Sequence, residues 1–150
     1  MLTPDFKEFA ALLNSNGVEY LVVGGYALAA YGHPRYTGDL DFWIGTNHEN
    51  AERVLTALEE FGFGSLGILR EHLTEAGQVI QLGFPPARID LLTSIDGVDF
   101  AECYKRRIVF EVDGLNLSFI GLEDFKTNKK AVGRHKDLAD LEALEKPEKC

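Results

Sequence analysis

Hydrophobic residues recur at helical spacing near the start of the chain, with Phe6, Phe9, Leu12 and Leu13 on one face. Thr3-Pro4-Asp5 supplies an N-cap, a first-turn proline and an acid for that helix, and Asn16-Gly17 ends it. Tyr20 to Val23 reads as a short buried strand stopped by Gly24-Gly25, and Tyr26 to Tyr31 as a short helix closing near Gly32 and Pro34. Leu40 to Ile44 is the second strand. Thr46 and Glu49 have capping-box spacing for a helix whose face is Ala51, Val54, Leu55, Leu58 and Phe61. From Gly62 to Gly77 no period is readable. Val79 to Leu82 and Arg88 to Thr93 read as strands joined through Gly83 and Pro85-Pro86. Arg107 to Val112 and Leu115 to Ile120 flank Asp113-Gly114, a two-residue hairpin signal. Leu122 to Val132 and His135 to Glu145 are closing helices punctuated by Gly133. This order predicts an α/β (α+β) protein, a mixed sheet flanked by helices.

A chain of 150 residues, 45% hydrophobic and 26% charged, predicts one globular domain over residues 1–150 rather than a disordered segment. No repeat, low-complexity tract or linker divides it. Its apolar runs are too short to cross a bilayer, so no membrane partner is expected. The first residues lack a basic region followed by an apolar core, which points away from a secretory signal. Cys103 and Cys150 form neither a metal spacing nor a disulfide framework, which fits the cytoplasm. The formal charge of −9 opposes a sequence-independent nucleic-acid coat.

The chemistry gathers between Leu21 and Ile44. Residues two apart on a strand share a face, so Asp39 and Asp41 project side by side while Leu40 and Phe42 point into a core. Two carboxylates this close repel unless a cation or proton lies between them, and magnesium, with manganese as the alternative, is the hard ion that suits them. Alone, Asp-x-Asp is more often a loop or strand end whose carboxylates face solvent. Gly24-Gly25, between a strand and a helix, allows backbone N–H groups to approach an anion, or makes an ordinary tight turn. Asp90 lies opposite Ile89 and Leu91 on a later strand, either as a third acid of the site or as a partner of Arg88. Together the three features form a minimum set for nucleotidyl transfer, in which carboxylate-held metals stabilise an in-line displacement at phosphorus.

These residues resemble the DNA polymerase β-type nucleotidyltransferase superfamily, with its paired-residue turn, Asp-x-Asp strand and third acidic strand. Gly24-Gly25-Tyr26-Ala27, Tyr31-Gly32, Arg35, Thr37 and Asp39-Leu40-Asp41 resemble small stand-alone nucleotidyltransferase-like proteins, including relatives of AbiEii-type toxins. Lys129, Gly133-Arg134 and Lys136-Asp137-Leu138-Ala139-Asp140-Leu141 are similar to that group's closing helix. The resemblance implies a nucleotidyltransferase fold with a short C-terminal helical segment. It implies a magnesium-dependent enzyme that moves a nucleoside monophosphate from a nucleoside triphosphate to an acceptor hydroxyl, releasing pyrophosphate. Asp39, Asp41 and Asp90 would be metal ligands and catalytic acids, with Asp90 the base. Gly24, Gly25, Arg35, Thr37, Lys129 and Asp137 would lie at the nucleotide.

One departure is Gly25, where many members carry a serine whose hydroxyl touches the phosphates. The acceptor stays open among tRNA, protein and small molecule, as does a partner protein or homodimer. The rival reading is a non-catalytic module of the same fold, such as a toxin–antitoxin component. His33, His48, His72 and His135 share no ligand spacing and read as surface or capping residues. Trp43 is expected to face away from the aspartates under a helix, and Tyr26, Tyr31 and Tyr36 to pack in the core or its rim.

Overall fold

The structure, a computed structural model, describes residues 2–34, 37–84 and 87–145, without the side chain of residue 65. Helix α1 (Pro4–Ser15) begins as its sequence predicts: Thr3 Oγ1 accepts from the Phe6 N–H at 3.2 Å, and Pro4 takes a first-turn position with no amide to satisfy. Its buried face is Phe6, Phe9, Ala10 and Leu13. Strand β1 (Tyr20–Val23) is buried throughout and runs directly into α2 (Gly24–Ala30). β2 (Asp39–Ile44) leads to α3 (His48–Glu60), whose cap is Asn47 rather than Thr46, with Asn47 Oδ1 accepting from Asn50 N–H at 2.8 Å.

The unreadable glycine-rich stretch holds a 3-10 turn (Gly64–Leu66) and α4 (Arg70–Thr74). There His72 Nδ1 accepts the Leu69 N–H at 2.9 Å, the capping role expected of a histidine without ligand spacing. Strands β3 (Val79–Leu82) and β4 (Arg88–Leu92) follow, then α5 (Phe100–Lys105). The sequence pattern did not reveal α5; it is a single short turn-and-a-half capped by Asp99. β5 (Ile108–Val112) and β6 (Leu115–Phe119) form the hairpin, and Asp113 and Gly114 take the positive φ values of 52° and 83° that a twisted two-residue connection needs. α6 (Leu122–Val132) and α7 (His135–Glu145) close the described chain around Gly133.

The six strands form one mixed sheet in the order β3-β4-β2-β1-β6-β5. β2 runs parallel to β4 and antiparallel to β1, and β1 is parallel to β6. One face carries Tyr20, Leu40 and Phe42, covered by α1 through the Phe9–Phe42 ring contact. A buried amide ties α3 to this layer: Asn50 accepts from Glu19 N–H at 2.7 Å and donates to the Glu19 and Gly45 carbonyls at 3.0 and 2.7 Å. The opposite face carries Asp39, Asp41 and Trp43. The expectation that Trp43 faces away from the aspartates is therefore corrected. The period of two places residues 39, 41 and 43 together, and Trp43 is buried edge-on against Phe100 of α5 at 5.1 Å. Tyr26 and Tyr31 pack as expected, Tyr26 against Phe6 and Tyr31 against Phe125. No helix of the described residues is long and apolar enough to cross a membrane.

Candidate active site

Parallel pairing of β2 with β4 sets Asp39 beside Arg88 and Asp41 beside Asp90. Strand alternation turns all four side chains to one face, so Asp90, distant in sequence, becomes a neighbour of Asp39 and Asp41. Ligand oxygens of Asp39, Asp41 and Asp90 all lie within 4.8 Å of one another. The arginine shares the cluster. Arg88 Nε and Nη2 donate to the two oxygens of Asp90 at 2.9 and 3.1 Å, and Nη2 reaches Asp39 Oδ2 at 3.3 Å. The sequence left Asp90 open between a site acid and a partner of Arg88; it pairs with Arg88 and also lies in one cluster with Asp39 and Asp41.

Asp41 occupies the inner position. Burial, with Asp39 and Asp90 alongside, pushes its carboxyl up to about 8. Burial also raises Asp90, against the lowering pull of Arg88. The donor set fits a hard divalent cation: three carboxylates from two rigid strands, oxygen only, with one of them unable to hold its negative charge near neutral pH without a counter-charge.

The two glycines of the β1–α2 turn make room for this cluster. Gly24 has φ 70°, and a Cβ there would collide with the Asp41 carboxylate. A Cβ on Gly25 would lie 3.0–3.3 Å from the Thr37 side chain. Thr37 Oγ1 is itself held by a 3.0 Å bond to the Asp39 carbonyl. Both positions thus let a neighbouring side chain pack on the turn, and Thr37 fills the space into which a serine at 25 would project.

A cleft of about 270 Å³ opens in front of the cluster, with Gly24, Gly25, Thr37, Asp39 and Asp41 on one wall. Lys129 of α6, Arg134 of the link between the helices and Lys136 of α7 line it as well. A second groove of about 440 Å³ shares Gly24, Asp41, Lys129 and Arg134, and its wall is largely apolar, with Val79, Leu92, Ile95 and Val132.

Lys129 and Asp137 both reach the site, but as partners of each other. Lys129 Nζ is buried and donates to Asp137 Oδ1 at 3.3 Å and Asp140 Oδ2 at 3.0 Å. Burial would raise Asp137, but the bonds from Arg134 and Lys129 outweigh it and hold its carboxyl below the usual range. Lys129 therefore fastens α7 to α6; Arg134, more exposed, also pairs with Asp137 through Nε at 2.6 Å, and it lines the cleft together with the exposed Lys136. In the sequence Arg134 and Lys136 stand out only within the segment similar to the closing helix of the stand-alone nucleotidyltransferase-like group, with no role of their own at the nucleotide. Arg35, expected at the nucleotide, and Tyr36 lie outside the described residues.

No protein-family model matches the sequence, and no curated protein matches it. Solved structures that share the fold include two nucleotidyltransferase-like proteins. One is a proposed nucleotidyltransferase from Thermotoga maritima, 16% identical, with a TM-score of 0.60 over 95% of this chain and 94% of that one. The other is an antigenic nucleotidyltransferase-like protein from Paracoccidioides brasiliensis, 17% identical, with a TM-score of 0.54 over 90% of this chain and 71% of that one. The mixed six-stranded sheet flanked by helices, closed by a C-terminal helical segment, is the nucleotidyltransferase fold.

Proposed function

We propose that this chain, built on the nucleotidyltransferase fold, acts over residues 1–150 as a magnesium-dependent nucleotidyltransferase. It moves a nucleoside monophosphate from a nucleoside triphosphate to an acceptor hydroxyl. The observation that carries this reading is the meeting of Asp39, Asp41 and Asp90 within 4.8 Å beside a cleft faced by Arg134 and Lys136. Asp39, Asp41 and Asp90 would hold magnesium or manganese. Such an ion, when bound, neutralises charge on the triphosphate and on the departing pyrophosphate.

The chain's own groups do the rest. Gly24 and Gly25 line the cleft without side chains, so the phosphates approach the backbone there, and the Thr37 hydroxyl stands beside Gly25. Arg134 and Lys136 draw the triphosphate to the wall opposite the acids, where fixed cations favour a developing anion. Lys129 and Asp137 position that wall. The acceptor oxygen attacks the α-phosphorus, the bond to the β-phosphate oxygen breaks, pyrophosphate leaves, and the hydroxyl proton passes to Asp90.

The test supplies labelled nucleoside triphosphates and magnesium to a cell extract. Labelling of a tRNA, protein or small-molecule fraction by wild type and not by Asp39→Asn supports transfer and identifies the acceptor class. Failure to label any fraction with any nucleotide overturns it. One observation favours the second reading, a non-catalytic module such as a toxin–antitoxin component. The guanidinium of Arg88 already pairs with two of the three acids, an arrangement that keeps the cluster folded without any reaction. Under that reading a partner protein, or a second copy, binds without transfer.

A further inference from the structure

Three carboxylates converging on one point repel unless a proton or a counter-charge relieves them, and the chain carries a counter-charge of its own. Arg88 lies two residues before Asp90, on the same face of β4, and opposite Asp39 in the parallel register. Its guanidinium donates through Nε and Nη2 to both oxygens of Asp90 and through Nη2 to Asp39 Oδ2. Its side chain keeps about a quarter of its surface exposed (27%), so it is not sealed inside the core.

We propose that Arg88 is a built-in competitor for the metal site: it holds Asp39 and Asp90 in place while no ion is bound, and a divalent cation must take carboxylate oxygens from it. This rests on the metal-binding reading above and adds a residue that reading does not need. Charge-assisted bonds from a planar guanidinium to two carboxylates are among the stronger side-chain contacts. An ion arriving at the same oxygens also meets a fixed positive charge beside them. Both effects lower affinity for the free ion, so Arg88 acts as a positioning residue that sets how much free cation loads the site.

The test is direct Mn²⁺ binding to the full chain without nucleotide, followed by the paramagnetic resonance of unbound Mn²⁺. Replacing the guanidinium by a neutral chain in Arg88→Met should tighten Mn²⁺ about tenfold, equivalent to about 1.4 kcal/mol. Arg88→Gln, which keeps hydrogen-bonding capacity without charge, should also tighten it and serves if the methionine variant does not fold. Arg88→Lys keeps the charge and should bind near the wild-type level. In parallel, the melting temperature of Arg88→Met should fall below that of wild type in chelator and recover when Mn²⁺ is added. Binding that Asp41→Asn abolishes but that neither neutral variant tightens overturns the role of Arg88 and leaves the metal site standing. Absence of binding in wild type and both neutral variants overturns the metal site and this inference together.

Discussion

At the scale of single residues, one position of the site is governed by space and one by charge. Gly24 combines a left-handed backbone with a Cβ direction already filled by the Asp41 carboxylate. Gly24→Ala should therefore cost about 1–2 kcal/mol from the backbone conformation alone, read by urea denaturation. It should also displace Asp41 and weaken Mn²⁺ binding. Asp41 keeps a proton in the folded chain up to about pH 8, whereas an unfolded aspartate releases it near pH 4. Between those values the native state binds more protons, so stability from this group is full below about pH 4 and is lost as pH rises toward 8. The groups facing it are Asp39 and Asp90, with Arg88 beyond them. The melting temperature of the metal-free protein should decline across this window. Asp41→Asn should flatten the decline, and magnesium added at pH 8 should raise the wild-type value only.

At the scale of elements, buried polar side chains do the joining. Asn50 makes three hydrogen bonds that tie the start of α3 to the backbone flanking β1 and β2. Asn50→Ala leaves those buried backbone groups unpaired and should lower stability by about 3 kcal/mol in chemical denaturation. Lys129 joins α6 to α7 in the same manner. Lys129→Met removes the cation that Asp137 and Asp140 share and should cost about 3 kcal/mol. Lys136→Ala should change stability by less than about 0.5 kcal/mol while weakening nucleoside triphosphate binding several-fold in titration calorimetry. An equal loss of nucleotide affinity in both variants, with stability unchanged in both, would show that Lys129 contacts the phosphates directly.

At the scale of the molecule, the sheet brings β2 and β4 together across 49 residues of chain, from Asp39 to Arg88, and the helical pair α6–α7 closes the front of the cleft. A ligand bound there holds both parts. Magnesium with nucleoside triphosphate should raise the melting temperature by mass action, and Asp41→Asn should abolish the shift. A shift of equal size in the variant would place the nucleotide elsewhere on the surface.

The sequence by itself determined most elements, because their signals are local: the Thr3 cap, the Phe6–Phe9–Leu13 period, the Asp113-Gly114 turn and the alternation that separates Asp39 and Asp41 from Leu40 and Phe42. It also named the three acids. Alternation equally implied that Trp43 shares their face, so that error was one of register and was open to correction from the sequence. The short α5 and α4 carry too few residues for a period to show. Only the tertiary structure decided that β4 lies parallel beside β2, which turns Asp90 from a lone strand acid into a neighbour of Asp41. The same pairing set Arg88 between two of the acids, and helix packing gave Lys129 to Asp137 and Asp140. Which charges meet depends on strand order and helix docking, and those are set by burial over the whole core rather than by any stretch of neighbouring residues.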